Sequence, residues 1–369
     1  MSTLVLDARW LNTGLGTYTL NLIREISQRQ NIQLRLLTLP QYREYLAKYN
    51  CAITIVDTPI YSIQEQFTIA WASRGSRVLH VPHYNAPLTR VGSLLVTIHD
   101  LTHILDHAQR RSIKSWIYAQ PMLRMVSRRA DHIFTVSEYS KRQIVELLGV
   151  NPERITVVYN GVGPHLFPEP RDEARAKTNR DFAFVGPYIL FVGNLKPFKN
   201  VAGLIKAFSL LKERSRLPYR LLVIGDDAAG RPGLIKLAMQ LGLDGSVIFV
   251  PRVSDEQVRA AYSGADLTVL PSLEEGFGLP VLESMTCGTP VACSSAASLP
   301  EIGGQAAEYF DPRDIESIAN SLQTVLLNSD RWSELRQLGL ERAGHFTREE
   351  CAKRHLPVYR RYLGLSAAD

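Results

Sequence analysis

The chain has 369 residues, 45% of them hydrophobic and 21% charged, with 42 Lys+Arg against 36 Asp+Glu. That length suits two domains with two cores, and the composition excludes both a disulfide-stapled miniprotein and a disordered chain. The charge is uneven, since residues 1–165 carry a net of +7 and residues 166–369 a net of −1.

In chain order, short apolar runs alternate with amphipathic stretches. The pattern predicts strands at 3–7, 33–37, 52–56, 77–81, 94–98, 132–136 and 155–158. Between them it predicts helices at 17–28, 41–49, 64–72, 113–127 and 138–148. A stretch rich in Pro and Gly, 161–170, and the charged segment after it lack a period, so 166–187 reads as a linker. The rhythm then resumes with strands at 188–192, 220–224, 247–250, 267–270 and 290–293, separated by helices near 201–213, 233–241, 255–263 and 280–286. After residue 311 the pattern is helical, and a last helix at 351–362 is expected to return to the first domain. Alternation of this kind predicts the α/β class, with two doubly wound, Rossmann-like parallel sheets carrying helices on both faces. The domains are expected at 1–165, joined by the C-terminal segment 351–369, and at 188–350.

The segment Met1–Asp7 has no basic region before its short apolar run, and no stretch reaches the ~18 apolar residues of a spanning helix, so neither a leader nor a transmembrane segment is expected. Cys51, Cys287, Cys293 and Cys351 match neither a redox pair nor a zinc knuckle, which favours reduced thiols in a cytoplasmic protein. The positive charge is densest at 110–129. Arg110, Arg111, Lys114, Arg124, Arg128 and Arg129 are interleaved there with Trp116 and Tyr118, and no acid stands between Asp106 and Asp131. Such a segment suits either an anionic membrane surface or a solvated helix face. No nucleic-acid motif accompanies it, so no nucleic-acid partner is expected.

Ligands of doubly wound sheets bind beyond the carboxyl ends of the strands, which directs attention to five places. Gly14-Leu-Gly16 follows the first strand and lets the backbone approach a ligand at a helix N-terminus; Thr19 stands where a dinucleotide fingerprint needs a third small residue. His99-Asp100 follows the fifth strand and can hydrogen-bond or move a proton, with packing as the alternative. The neighbouring His80, His83, His103 and His107 raise zinc as a further one, against which no H-E-x-x-H motif is present. Gly193-Asn194-Leu-Lys196-Pro-Phe198-Lys199-Asn200 combines a turn, two lysines and a helix start capped by Asn200, a plausible diphosphate site. Glu275-Gly276-Phe277-Gly278-Leu279-Pro280-Val-Leu-Glu283 is the strongest: a glycine loop opens a helix between two carboxylates, one placed for a sugar and one for a ribose. A glycosidase-type acid pair is its rival. Ser298-Leu-Pro-Glu301-Ile-Gly303-Gly304 adds a small-residue turn.

The E-G-F-G-L-P-V-L-E run at 275–283 and S-L-P-E-I-G-G-Q-A-A-E-Y-F-D-P at 298–312 resemble the retaining GT-B glycosyltransferases of family 4, the mannosyl- and glucosyltransferase-like group. V-S-E-Y-S-K at 136–141, V-Y-N-G-V at 158–162, L-F-V-G-N-L-K-P-F-K-N at 190–200, V-S-D-E at 253–256 and A-D-L-T-V-L-P-S at 265–272 extend the likeness over nearly the whole chain. The resemblance implies an acceptor-binding first domain and a nucleotide-sugar-binding second domain facing across a cleft. It implies that Glu283 binds the ribose and that Glu275 holds the donor sugar together with the amides of Gly276, Phe277 and Gly278, beside Asn194 and Leu279. It further implies that Lys199 neutralises the diphosphate, His99 meets the transferred sugar, Gly14 and Gly16 approach the phosphates or acceptor, and Val253 borders the base. Close relatives often read G-T-L-E-P-R-K-N where this chain has Lys196 and Phe198, and Pro251 replaces a common Gly beside the base pocket. No Asp-x-Asp tripeptide occurs, so neither metal nor other cofactor is expected. The implied activity is transfer of a hexose from GDP-mannose, with UDP-glucose or UDP-N-acetylglucosamine next, to a saccharide or lipid-linked acceptor. The expected location is cytoplasmic, peripheral on the inner face of the membrane. A sugar-nucleotide-binding protein without transfer and a GT-B epimerase are the alternative functions.

Overall fold

The computed structural model describes residues 3–11, 16–89, 92–101, 113–215 and 217–366, with backbone alone for 113–119. The first unit, Met1–Gly163 with Thr347–Asp369, is built on a seven-stranded parallel sheet of order β3-β2-β1-β4-β5-β6-β7. Its elements are β1 (Thr3–Asp7), α1 (Gly16–Ile26), β2 (Gln33–Thr38), α2 (Arg43–Leu46), β3 (Ala52–Ile55), α3 (Ile63–Ala72), β4 (Val78–Val81), β5 (Ser93–Thr97), α4 (Ile113–Arg129), β6 (His132–Thr135), α5 (Glu138–Leu148) and β7 (Ile155–Val157). The central strands are apolar on both faces because helices cover both. Ile69, Leu123, Val126 and Ile144 from α3, α4 and α5 pack with Val5, Leu79 and Val96 in one core. Leu22, Ile23 and Ile26 of α1 pack with Leu4, Leu6, Leu36 and Leu95 in another.

The second unit, Pro164–Phe346, holds a six-stranded parallel sheet of order β10-β9-β8-β11-β12-β13. It comprises α6 (Arg171–Asp181), β8 (Tyr188–Val192), α7 (Val201–Ser215), β9 (Arg220–Ile224), α8 (Arg231–Gln240), β10 (Val247–Val250), α9 (Asp255–Gly264), β11 (Leu267–Leu270), α10 (Leu279–Thr286), β12 (Val291–Ser294), α11 (Leu299–Gly303), β13 (Ala307–Phe310), α12 (Ile315–Leu327) and α13 (Ser329–Ala343). Ser254 and Gln257 close a capping box at the start of α9, satisfying two end donors reciprocally.

The last helix, α14 (Arg348–Leu363), returns to the first unit, as its pattern predicts, and buries Leu356, Tyr359 and Leu363 in the core over α1. A polar chain ties it down. Tyr359 Oη and Thr97 Oγ1 contact the two ring nitrogens of His80 at 2.6 and 2.8 Å, and Tyr18 Oη contacts Thr97 Oγ1 at 2.8 Å and His355 Nε2 at 2.6 Å. Burial pushes His355 down to about 4, so the chain is made of neutral groups.

Several sequence expectations change. The stretch 166–187 is not a bare linker: α6 lies within it and packs on α9, burying only Ala174 and Thr178, with Arg171 and Arg175 paired to Asp266 at 2.5 and 2.9 Å. The expected helix at 41–49 shrinks to one turn, α2, behind the 3-10 turn Pro40–Tyr42. A sixth strand of the second unit, β13, pairs with β12. Asn200 stands before α7 in a left-handed conformation (φ 54°), and its side-chain amide donates to the Pro312 carbonyl at 2.7 Å instead of facing only its own helix.

Candidate functional site

Both sheets reverse their strand order beside their first strand, at β1/β4 and at β8/β11, and such switch points open a crevice at the carboxyl edge. In the second unit two loops meet there. The segment after β8 carries Gly193, Asn194, Lys196 and the 3-10 turn Pro197–Lys199; the segment after β11 carries Glu275, Gly276, Phe277 and Gly278. The Leu273 amide donates to the Phe198 carbonyl at 2.7 Å, stitching the loops together. Lys199 Nζ then forms a short ion pair with Glu275 Oε2, the two side chains being 13% and 12% exposed. Ser298, from the small-residue turn, donates its hydroxyl to the Glu275 carbonyl at 2.8 Å.

Gly278 holds φ +99°, and a Cβ there would lie 2.5 Å from Leu299 Cδ2, so the turn into α10 requires glycine. Pro280 follows in the first turn of α10, whose N-terminus bears no acidic side chain. The N-terminal end of α10 thus carries partial positive charge next to the loop. Glu283, one turn into α10, accepts a hydrogen bond from Tyr262 Oη at 2.8 Å, and burial raises its carboxyl above the usual range. The two carboxylates therefore have different partners, an ammonium for Glu275 and a phenol for Glu283, unlike a matched acid pair of a glycosidase. Asn194 is exposed at the end of β8, its Oδ1 accepting from the Lys196 amide at 3.3 Å, and Val253 is half-buried on the loop after β10.

In the first unit His99 follows β5, half-buried, with its ring edge-on to Tyr18 at 4.9 Å. Its Nε2 lies 3.3 Å from the Pro82 carbonyl, which can only accept, so Nε2 carries the proton and Nδ1 remains an acceptor. Burial lowers this histidine to about 4, keeping it neutral. Gly16 is buried at the head of α1, where a Cβ would lie 2.1 Å from the Leu11 carbonyl oxygen. Gly14, His103, His107, Arg110 and Arg111 lie outside the described residues, as do the side chains of Lys114, Trp116 and Tyr118. His80 uses both ring nitrogens inside the core, and among the described residues no group of three His, Cys, Asp or Glu side chains is arranged for a metal ion.

Sequence reasoning misses the charged cluster behind this edge. Arg9, two residues past β1, donates from Nε to Asp7 at 2.9 Å and from one terminal nitrogen to Asp7 at 2.7 Å and to Glu65 at 2.6 Å, all three side chains fully buried. Glu65 also accepts from Asn85 Nδ2 and the Tyr61 amide, both at 2.7 Å. Tyr262, which holds Glu283, is also missed, because it falls neither in a glycine loop nor at a strand end.

The family model described as Glycosyl transferases group 1 matches residues 175–341, and that described as Glycosyltransferase Family 4 matches residues 12–166. The chain is similar to the O-antigen chain mannosyltransferase B of Escherichia coli, 29% identical over 94% of this chain and 96% of that protein. Among solved structures it resembles the sucrose-phosphate synthase of Thermosynechococcus elongatus, with a TM-score of 0.78 at 19% identity, covering 99% of this chain and 100% of that one. It also resembles Anabaena HepE in complex with UDP-glucose, with a TM-score of 0.78 at 16% identity, covering 97% and 99%. At these identities the structural likeness concerns the fold.

Proposed function

The chain belongs to the family 4 glycosyltransferases of GT-B form, and from that premise we propose that it moves a mannosyl residue from GDP-mannose to a saccharide or lipid-linked acceptor, retaining the anomeric configuration and using no metal. Similarity to a mannosyltransferase over 94% of the chain supports the donor sugar. The observation that carries the chemistry is the Lys199–Glu275 pair beside the amides of Gly276, Phe277 and Gly278 and the start of α10. Both charged groups satisfy each other before the donor arrives. Donor binding divides them: the ammonium turns to the diphosphate, and the carboxylate accepts from sugar hydroxyls.

In the transfer, the bond from C1 of the sugar to the β-phosphate oxygen breaks, and both electrons leave with GDP. Negative charge grows on that oxygen, where Lys199, already turned to the diphosphate by donor binding, and the N-terminus of α10 offset it. The acceptor hydroxyl forms its bond to C1 on the face the phosphate leaves, and its proton passes to the departing phosphate oxygen. No side chain is required as a nucleophile. Glu283 receives the ribose hydroxyls, Val253 borders the base, and Asn194 and Leu279 complete the donor side. His99 Nδ1 accepts from a sugar hydroxyl, while Gly16, with Gly14, allows close backbone approach.

The test is a transfer assay with GDP-mannose and a mannosylated acceptor in the presence of EDTA, with the anomeric linkage read by NMR coupling. An α-mannosyl product, formed from the α-linked donor at an unchanged rate in EDTA, is expected. Inversion, metal dependence, a glycosyl-enzyme trapped on Glu275, or epimerised sugar nucleotide without acceptor would each overturn part of this assignment.

A further inference from the structure

Tyr61 is held in a backbone conformation that a bulky side chain rarely adopts. The Ser62 amide donates to the Pro59 carbonyl at 3.3 Å and closes the turn at 59–62, in whose third place Tyr61 has φ 65°. Glycine or asparagine is the ordinary occupant there, because a Cβ crowds the following carbonyl. The turn is tethered from behind: the Tyr61 amide and the Asn85 side chain both donate to Glu65 at 2.7 Å, and Glu65 is paired with the buried Arg9. Burial does not account for the tyrosine, since 45% of it is exposed. Strain kept in place by its surroundings points to what the side chain is held for.

The ring belongs to an aromatic group at the carboxyl edge of the first sheet. Trp10 follows β1, and His83 and Tyr84 follow β4, the two strands of the switch point. Trp10 and His83 stack at 4.1 Å and are both buried. Tyr61 meets them at 72° and 71°, with ring centroids 5.5 and 5.9 Å away, so neither lies flat on it. Of these four side chains it is the one open to solvent. Charge in the loops after β1, β3 and β4 sorts the ligands that this edge can take. Among their described residues Arg9 is buried against Asp7 and Glu65, His83 Nδ1 accepts from the Asn85 amide and so carries no proton, and the exposed charge is that of Asp57. No exposed cation stands among those residues to meet a phosphate or a carboxylate. An exposed aromatic face in such surroundings suits a neutral pyranose, whose C–H groups carry partial positive charge and lie on the negative face of the ring.

We propose that Tyr61 is a stacking platform for the acceptor: a neutral pyranose of the acceptor saccharide lies against its ring, and the sealed Arg9–Glu65 pair, through the Tyr61 amide, holds that ring at the carboxyl edge. That this sugar is the acceptor rests on the transfer proposed above; the binding of a saccharide at Tyr61 does not.

The experiment titrates the full chain, without donor, with the methyl glycoside of an α-linked mannose disaccharide and follows the sugar C–H signals by saturation-transfer NMR. Wild type is compared with Tyr61→Gly, which takes a positive φ without strain but has no ring, and with Tyr61→Phe, which keeps the ring. Wild type and Tyr61→Phe are expected to bind the sugar, and Tyr61→Gly to bind it roughly tenfold more weakly. The thermal midpoint of Tyr61→Gly should stay within about 3 °C of wild type, because relief of the turn offsets the lost packing. In turnover, Tyr61→Gly should raise the acceptor KM about tenfold and leave the donor KM unchanged. No saccharide binding by wild type overturns the proposal. So does equal binding by Tyr61→Gly, and so does loss of binding in Tyr61→Phe, which assigns the contact to the hydroxyl. A midpoint far below wild type in Tyr61→Gly assigns the ring to packing on Trp10 and overturns it as well. Tyr61-dependent saccharide binding with no transfer from GDP-mannose would count against the proposed function and leave the platform standing.

Discussion

The two switch points share a topology and handle charge in opposite ways. At β1/β4 the cations and anions are sealed: Arg9, Asp7 and Glu65 are fully buried and bonded to one another and to Asn85. At β8/β11 the pair is accessible: Lys199 and Glu275 keep 13% and 12% of their side-chain surface and sit among loop amides. A sealed network fixes the shape of an edge, because opening it leaves charge unpaired in a low-dielectric interior. An accessible pair can be taken apart by a ligand carrying its own charges. The first unit therefore offers a rigid platform, and the second an electrostatic socket.

The sharpest way to break this contrast is Arg9→Met. It leaves two buried carboxylates without their cation and is expected to lower stability by about 3–5 kcal/mol, seen as an early unfolding transition confined to the first unit by hydrogen exchange. Lys199→Ala, by the same measurement, should cost less, about 1–3 kcal/mol, because Glu275 keeps some access to water. Its effect belongs to turnover: Lys199→Ala and Glu275→Ala should each reduce transfer by roughly 10²–10³-fold, measured as product formed at saturating donor. If Lys199→Ala unfolds the protein while Arg9→Met does not, the contrast is inverted.

Acid separates the units next. His355 titrates near 4 in the folded chain against an ordinary 6.5, and His99 and His132 near 4 as well. Because burial depresses these values, the unfolded chain takes up protons between pH 6.5 and 4 that the folded one refuses, so stability is lost as pH falls through that window. The loss reaches about 3 kcal/mol per such histidine by pH 4. Exchange protection of α14 should fall first, and the second unit should outlast it. Smaller still is Glu283→Gln, which keeps the Tyr262 contact but weakens the ribose bonds; about a tenfold rise in the Kd for GDP is expected by calorimetry, with stability unchanged or slightly improved.

Much of this was legible in the residues. All strands but β13, the returning helix and the Lys199 and Glu275 loops lie where periodicity and strand-end logic put them, because buried parallel strands and glycine turns are local signals. What escaped was made by distance. Arg9 and Glu65 are separated by 56 positions, and the one hint is that Glu65 shares a helix face with Ile69. Helix α6 has almost no apolar stripe, and its site on α9 comes from Arg171 and Arg175 reaching Asp266 and from Gly264 admitting a close backbone: a Cβ there would lie 2.5 Å from the Arg175 nitrogen.

The central claim is that the socket at β8/β11 receives a nucleoside diphosphate through Lys199. Thermal unfolding with and without GDP tests it in wild type and Lys199→Ala. With GDP at a hundred times Kd, stabilisation of about 2.7 kcal/mol is expected in wild type and little at the same concentration in Lys199→Ala. An equal shift in both proteins would contradict the assignment.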